Sequence, residues 1–118
     1  MSDSRAAREA ATTARMNEIA AKFLLRSATD LDAMRKNLVG LANGDATALA
    51  NIRHFAHRMR GTGATLGFEA LSECARRIEQ LTDQPLPDAA FAPATLREFA
   101  AEFDALAAEM SRNPSAIT

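Results

Sequence analysis

The sequence has no tryptophan, no tyrosine and a single cysteine, Cys74. One thiol cannot close an internal disulfide, so the fold has to rest on its core. Valine and isoleucine together number five against 27 alanines and 12 leucines, a balance that disfavours sheet and favours helix in nearly every window. The first 26 residues hold no apolar run long enough for a signal-peptide core or a membrane span, so the cytoplasm is the expected compartment and no membrane partner is expected. Charge of one sign is lacking too. The formal net charge is -1, without the clustered basic excess that neutralises a nucleic-acid backbone, and no nucleic-acid partner is expected. At 118 residues, 47% hydrophobic and 25% charged, the chain has the balance of one globular domain. That length leaves little room for the scaffold and substrate pocket of a self-contained kinase, hydrolase or dehydrogenase.

What is present is helical periodicity. Apolar residues recur with three-four spacing at Leu31, Met34, Leu38 and Leu41, and again at Leu49, Ile52, Ala56, Met59, Gly63 and Leu66. The pattern returns at Leu71, Cys74, Ile78 and Leu81 and at Leu96, Phe99, Phe103, Leu106 and Met110. A weaker stripe at Met16, Ile19, Phe23 and Leu24 predicts a short additional N-terminal helix, with Ser27 and Asp30 resembling a capping box at the start of the next one. Residues 1–14 carry no apolar seam and are expected to form a frayed or loosely packed extension. Asn43, Gly44 and Asp45 supply a left-handed C-cap and the next N-cap, and Pro93 suits the first turn of the last helix. The long connection is expected from Asp83 to Ala92. Short links make neighbouring helices antiparallel, so the fold class is all-α: an up-down-up-down four-helix bundle over 15–112, followed by a tail at 113–118. One compact bundle accounts for every stripe, and a monomer is expected.

Charge is uneven along this pattern. Residues 45–66 carry Arg53, Arg58 and Arg60 against Asp45, whereas residues 85–118 set Arg97 and Arg112 against five carboxylates. At about 100° per residue, His57 falls about 130° from the centre of the second stripe and should be accessible, with Arg60 and Gly61 beside it one turn on. A glycine inside a helix costs about 1 kcal/mol relative to alanine, so each needs a reason. Gly63 lies on the buried stripe, where close helix packing accounts for it, and Gly67 ends the helix. Gly61 lies on the exposed face, where its use is to let a macromolecule approach the imidazole. A neutral imidazole nitrogen attacks phosphorus, and an adjacent arginine stabilises the spread charge of a phosphoryl group in transfer.

The run His57-Arg58-Met59-Arg60-Gly61, followed by Ala64, Leu66, Gly67 and Leu71, resembles the histidine phosphotransfer (HPt) domain family. That family's pattern is histidine, a hydrophobic residue at the second position after it, a basic residue at the third, glycine at the fourth and glycine at the tenth. All of these positions are filled. Two positions depart from common usage: Arg60 stands where lysine is more frequent, and Gly63 where a small polar residue or alanine is. The resemblance implies that His57 accepts the phosphoryl group, that Arg60 is the cation assisting it, and that Gly61 leaves clearance for the partner. Arg53, His54, Arg58 and Ala64 are expected to take part in docking. It implies partners in receiver domains of response regulators and hybrid histidine kinases, with Mg²⁺ on the receiver and no cofactor or metal bound by this chain.

Competing readings are weaker. His54 has Arg58, not glycine, at the fourth position after it, which makes it a rim residue. A metal site would have only the two histidines, while Cys74 belongs to a buried stripe of another helix and reads as a small hydrophobe. A helix-turn-helix over Thr62–Gln80 would place Glu69, Glu73, Glu79 and Asp83 near phosphates. There is no phosphate-binding glycine loop, so the chain is expected to carry phosphoryl groups without ATP-dependent kinase activity. The alternative from another class is a non-phosphorylated helical adaptor that docks to receiver domains.

Overall fold

The computed structural model describes residues 2–84 and 91–112. It contains four helices, α1 (Ser2–Ala42), α2 (Ala46–Thr65), α3 (Glu69–Leu81) and α4 (Pro93–Ser111), and no strand among the described residues. The expected all-α bundle is thus observed. The tail at 113–118 and most of the loop around Pro85 and Pro87 lie outside the described residues.

The turns follow from their glycines. Gly44 (φ +75°) and Gly67 (φ +86°) adopt the left-handed conformation that glycine reaches without strain. Each closes a double hydrogen-bonded C-cap. Asp45 N–H donates to Gly40 O and Gly44 N–H to Leu41 O, while Phe68 N–H donates to Gly63 O and Gly67 N–H to Ala64 O. The Asp45 side chain then accepts from Thr47 N–H at 2.9 Å and caps α2.

The chain direction can be read from the contacts. On α1 and α2, Asn37 meets Asn51 and Asp30 meets Arg58, while a Cβ on Gly40 or Gly63 would touch Ala48 or Phe23; α2 numbers rise as α1 numbers fall. Between α2 and α3, Arg60 pairs with Ser72 and Arg53 with Asp83; between α1 and α4, Leu41 pairs with Phe91 and Arg35 with Asp104. Successive helices are therefore antiparallel, with α1 and α3 each packed against α2 and α4. The core between them includes Leu24, Met34, Leu41, Ile52, Met59, Ile78, Phe99, Phe103 and Leu106, the residues of the periodic stripes.

One expectation is corrected. The short N-terminal helix is not a separate element: α1 runs unbroken from Ser2 to Ala42, and Ser27 and Asp30 are buried inside it rather than capping a new start. Asp30 is buried because it takes both carboxylate oxygens to Arg58 of α2, at 3.1 and 3.0 Å. Helix α1 has 41 residues against 20 for α2, so its N-terminal half extends past the bundle, and the whole molecule measures 68 Å along its longest axis. Residues 4–19 are exposed.

Candidate functional site

His57 lies in the middle of α2, between Ala56 and Met59 of the buried stripe, and its side chain is 70% exposed. Facing it is Glu79 of α3, a carboxylate only 13% exposed. Imidazole Nδ1 lies 2.9 Å from Glu79 Oε1, and the Arg60 guanidinium donates to Glu79 Oε2 at 3.0 Å. One carboxylate thus spans the histidine and the arginine, three positions apart on a single helix face. Partial burial raises the Glu79 carboxyl, but the hydrogen bonds from His57 and Arg60 outweigh it and hold the group below its ordinary value. An ionised carboxylate can only accept, so Nδ1 carries the proton and the exposed Nε2 carries the lone pair of the neutral ring.

The helix contact beneath the site is fixed by Ser72 of α3, whose hydroxyl donates to the Arg60 carbonyl at 2.8 Å. Gly63, fully inside this contact, would place a Cβ 3.4 Å from Phe23, 3.5 Å from Ser72 and 3.6 Å from Leu71, so only a small residue fits there. A Cβ on Gly61 would meet nothing within 4 Å. The surface beside the imidazole is open there. A shallow groove lined by Ile19, His57, Arg58, Gly61, Thr62 and Thr65 runs from the ring to α1.

The other sequence-selected residues divide. Arg53, His54 and Ala64 are exposed on α2, with Arg53 3.4 Å from Asp83 and the His54 ring 5.9 Å from Phe55. Arg58 turns inward instead. Its guanidinium holds Asp30, lies 5.6 Å from the Phe55 ring centroid, and has a buried Nε with no partner among the described residues, so its first role is to tie α1 to α2. Gly67 ends the helix.

Glu79, Ser72 and Asp30 are the residues that sequence reasoning did not select. Ser72 and Glu79 lie seven positions apart on α3, with Asp83 four further on just past its end, a polar spacing that signals a polar contact with a neighbouring helix. Cys74 is buried, which pushes its thiol up, and it accepts a contact from Arg77 at 3.1 Å. Among the described residues there is no cluster of three or more His, Cys, Asp or Glu placed to hold a metal, and no helix long and apolar enough to cross a membrane.

Neither a curated protein nor a solved structure matches the chain. A family model described as the Hpt domain matches residues 18–110, from the last exposed turns of α1 to the end of α4, and contains the whole His57 site. The chain belongs to the Hpt domain family, with the histidine phosphotransfer role in two-component signalling that this family carries.

Proposed function

We propose that this chain relays a phosphoryl group between receiver-domain aspartates through Nε2 of His57. The observation that carries the reading is the division of labour on one ring: Nδ1 is held by a carboxylate, while the side chain is 70% exposed and the neighbouring position Gly61 is open. In the loading step the Nε2 lone pair attacks the phosphorus of an aspartyl phosphate. An N–P bond forms, the P–O bond to the aspartate breaks, and its electron pair leaves on the receiver's carboxylate. No proton has to leave the ring. The imidazole becomes cationic as the N–P bond forms, and Glu79, already paired with Nδ1–H, balances that charge. The unloading step is the reverse with a second aspartate.

Arg60 uses one nitrogen on Glu79 and retains other guanidinium donors for the phosphoryl oxygens. Gly61 gives the receiver clearance, and Arg53, His54 and Ala64 form the docking rim. Rigidity serves the reaction, since in-line transfer depends on placement and the nucleophile stands on a helix packed on two sides. Mg²⁺ is expected on the receiver.

The test compares wild type with His57→Gln, incubated with isolated receiver domains charged by acetyl phosphate in the presence of Mg²⁺. Label should appear on wild type alone, in an acid-labile, alkali-stable form. Binding of receivers without label on wild type would overturn the relay and favour the adaptor.

A further inference from the structure

Of the twelve arginines, eight form an ion pair with a described carboxylate. Among the described residues the other four, Arg8, Arg15, Arg26 and Arg97, have none. Three of those four lie on α1, and helical geometry places them on the same face. Taking about 100° per residue, Arg8, Arg15, Ile19, Lys22 and Arg26 fall within an arc of about 60°. Lys22 reaches only Glu18 of its own helix, an exposed pair that holds it weakly. Glu9 lies about 80° outside this arc and Glu18 about 40° outside it, reaching only Lys22, so the face is cationic although the chain is not.

Its location gives the face a use. Ile19 lines the groove that contains His57 and Gly61, and Ile19, Lys22 and Arg26 line the adjoining pocket against Arg58 and Thr62, a cavity of about 250 Å³. Only four large hydrophobic side chains are exposed among the described residues, and two of them are Ile19 at 42%, within this stripe, and Met16 at 50%, about 60° beyond its edge. The surface around His57 therefore continues without a break onto α1. Where α2 ends, α1 goes on alone, carrying Arg15 about 6 Å beyond Ile19 along the axis. A globular domain of about 120 residues has a radius of gyration of about 13–14 Å, so one seated over Gly61 overlaps Arg26, Lys22 and Ile19 and has its edge at Arg15.

We infer that the extended N-terminal half of α1 is a docking arm, on which Arg15, Lys22 and Arg26, with Ile19 and Met16, hold the acidic rim of the same receiver domain that meets His57. The inference rests on the relay reading above. Charge complementarity selects the occupant: a receiver presents carboxylates around its phospho-accepting aspartate, and unpaired guanidinium groups lying along the approach steer and hold such a surface. A membrane suits the arm poorly, because its opposite face carries Ala6, Ala10 and Thr13, which are too small to insert.

The experiment uses the full chain, the charge-reversed Arg15→Glu/Arg26→Glu variant and the conservative Arg15→Lys/Arg26→Lys variant. Single-turnover transfer from acetyl-phosphate-charged receiver domains is measured against receiver concentration. In the charge-reversed variant the half-saturating concentration should rise about tenfold at low salt, with an unchanged plateau rate. The difference should shrink as salt rises from about 0.05 to about 0.3 M, and the lysine variant should stay near wild type. Wild-type half-saturation in the charge-reversed variant would overturn the docking arm while leaving the relay intact. So would loss of the plateau alone, or a defect confined to binding duplex DNA or anionic vesicles. If wild type accepts no label from any receiver, the relay reading falls, and the arm's assignment to a receiver falls with it.

Discussion

Gly61 offers a way to separate what the fold needs from what the partner needs. It stands inside α2, where glycine costs about 0.8–1.0 kcal/mol relative to alanine, and a Cβ built on it touches nothing within 4 Å. Gly61→Ala should therefore stabilise the isolated protein by about 1 kcal/mol, chiefly by restricting the unfolded chain. For a domain of this size that corresponds to a rise in Tm of about 3–6 °C, read by thermal denaturation followed by circular dichroism. Transfer should move the other way. Gly61→Gln places a flexible side chain one turn from the imidazole, across the approach to Nε2, and a steric conflict of about 1–3 kcal/mol at the interface slows single-turnover transfer about 5- to 150-fold. The two variants test the argument from both ends. A lower Tm in Gly61→Ala would show that the position has a packing role the open space denies, and wild-type transfer in a well-folded Gly61→Gln would show that no partner comes near it.

Two other substitutions follow from contacts described above. Glu79→Gln keeps the shape but removes the charge opposite the forming imidazolium; charge-assisted hydrogen bonds contribute about 1.5–3 kcal/mol, so transfer should slow about 10- to 150-fold, and an unchanged rate would remove Glu79 from the mechanism. Because the Glu79 carboxyl is held below its ordinary value of 4.5, its contribution to stability is complete above that pH and is lost as pH falls through the lower folded value. The stability gap between wild type and Glu79→Gln, measured by urea unfolding, should narrow across that acid window. Gly40→Ala puts a Cβ 2.6 Å from Ala48 Cβ across the α1–α2 contact, and overpacking of about 1–3 kcal/mol outweighs the helix-propensity gain of about 1 kcal/mol. A lower Tm is expected, and an equal or higher one would mean that the two helices separate freely.

The bundle was legible in the sequence because its information is local. The stripes that bury Ile52, Ile78, Phe99 and Leu106 are periodic within one helix, and the caps at Gly44, Asp45 and Gly67 lie within a few residues of the turns they form. The exposure of His57 and the open space at Gly61 follow from angle alone. Pairings across the bundle were not legible in this way. Ser27 and Asp30 resemble a helix start since both are common N-terminal residue types, whereas here Asp30 is kept inside a continuous helix by an arginine 28 positions away. That partnership also explains why Arg58, which reads as a docking cation next to His57, turns toward α1. Glu79 is 22 positions from His57 and stands among other acids on α3, so nothing nearby in sequence distinguishes it from a solvated charge.

Because Glu79 reaches His57 from the next helix, the site has a length tolerance that differs sharply along the chain. Inserting or deleting one residue in α3 before Glu79 would rotate the carboxylate by about 100° and slide it about 1.5 Å, which carries it off the ring. A length change after Leu81 leaves the spacing among His57, Arg60 and Glu79 untouched, since all three precede it. The portion from α2 through the Gly67 turn to Glu79 is consequently a single inheritable cassette, variable only as one piece, while the connection after Leu81 can change length without disturbing its spacing.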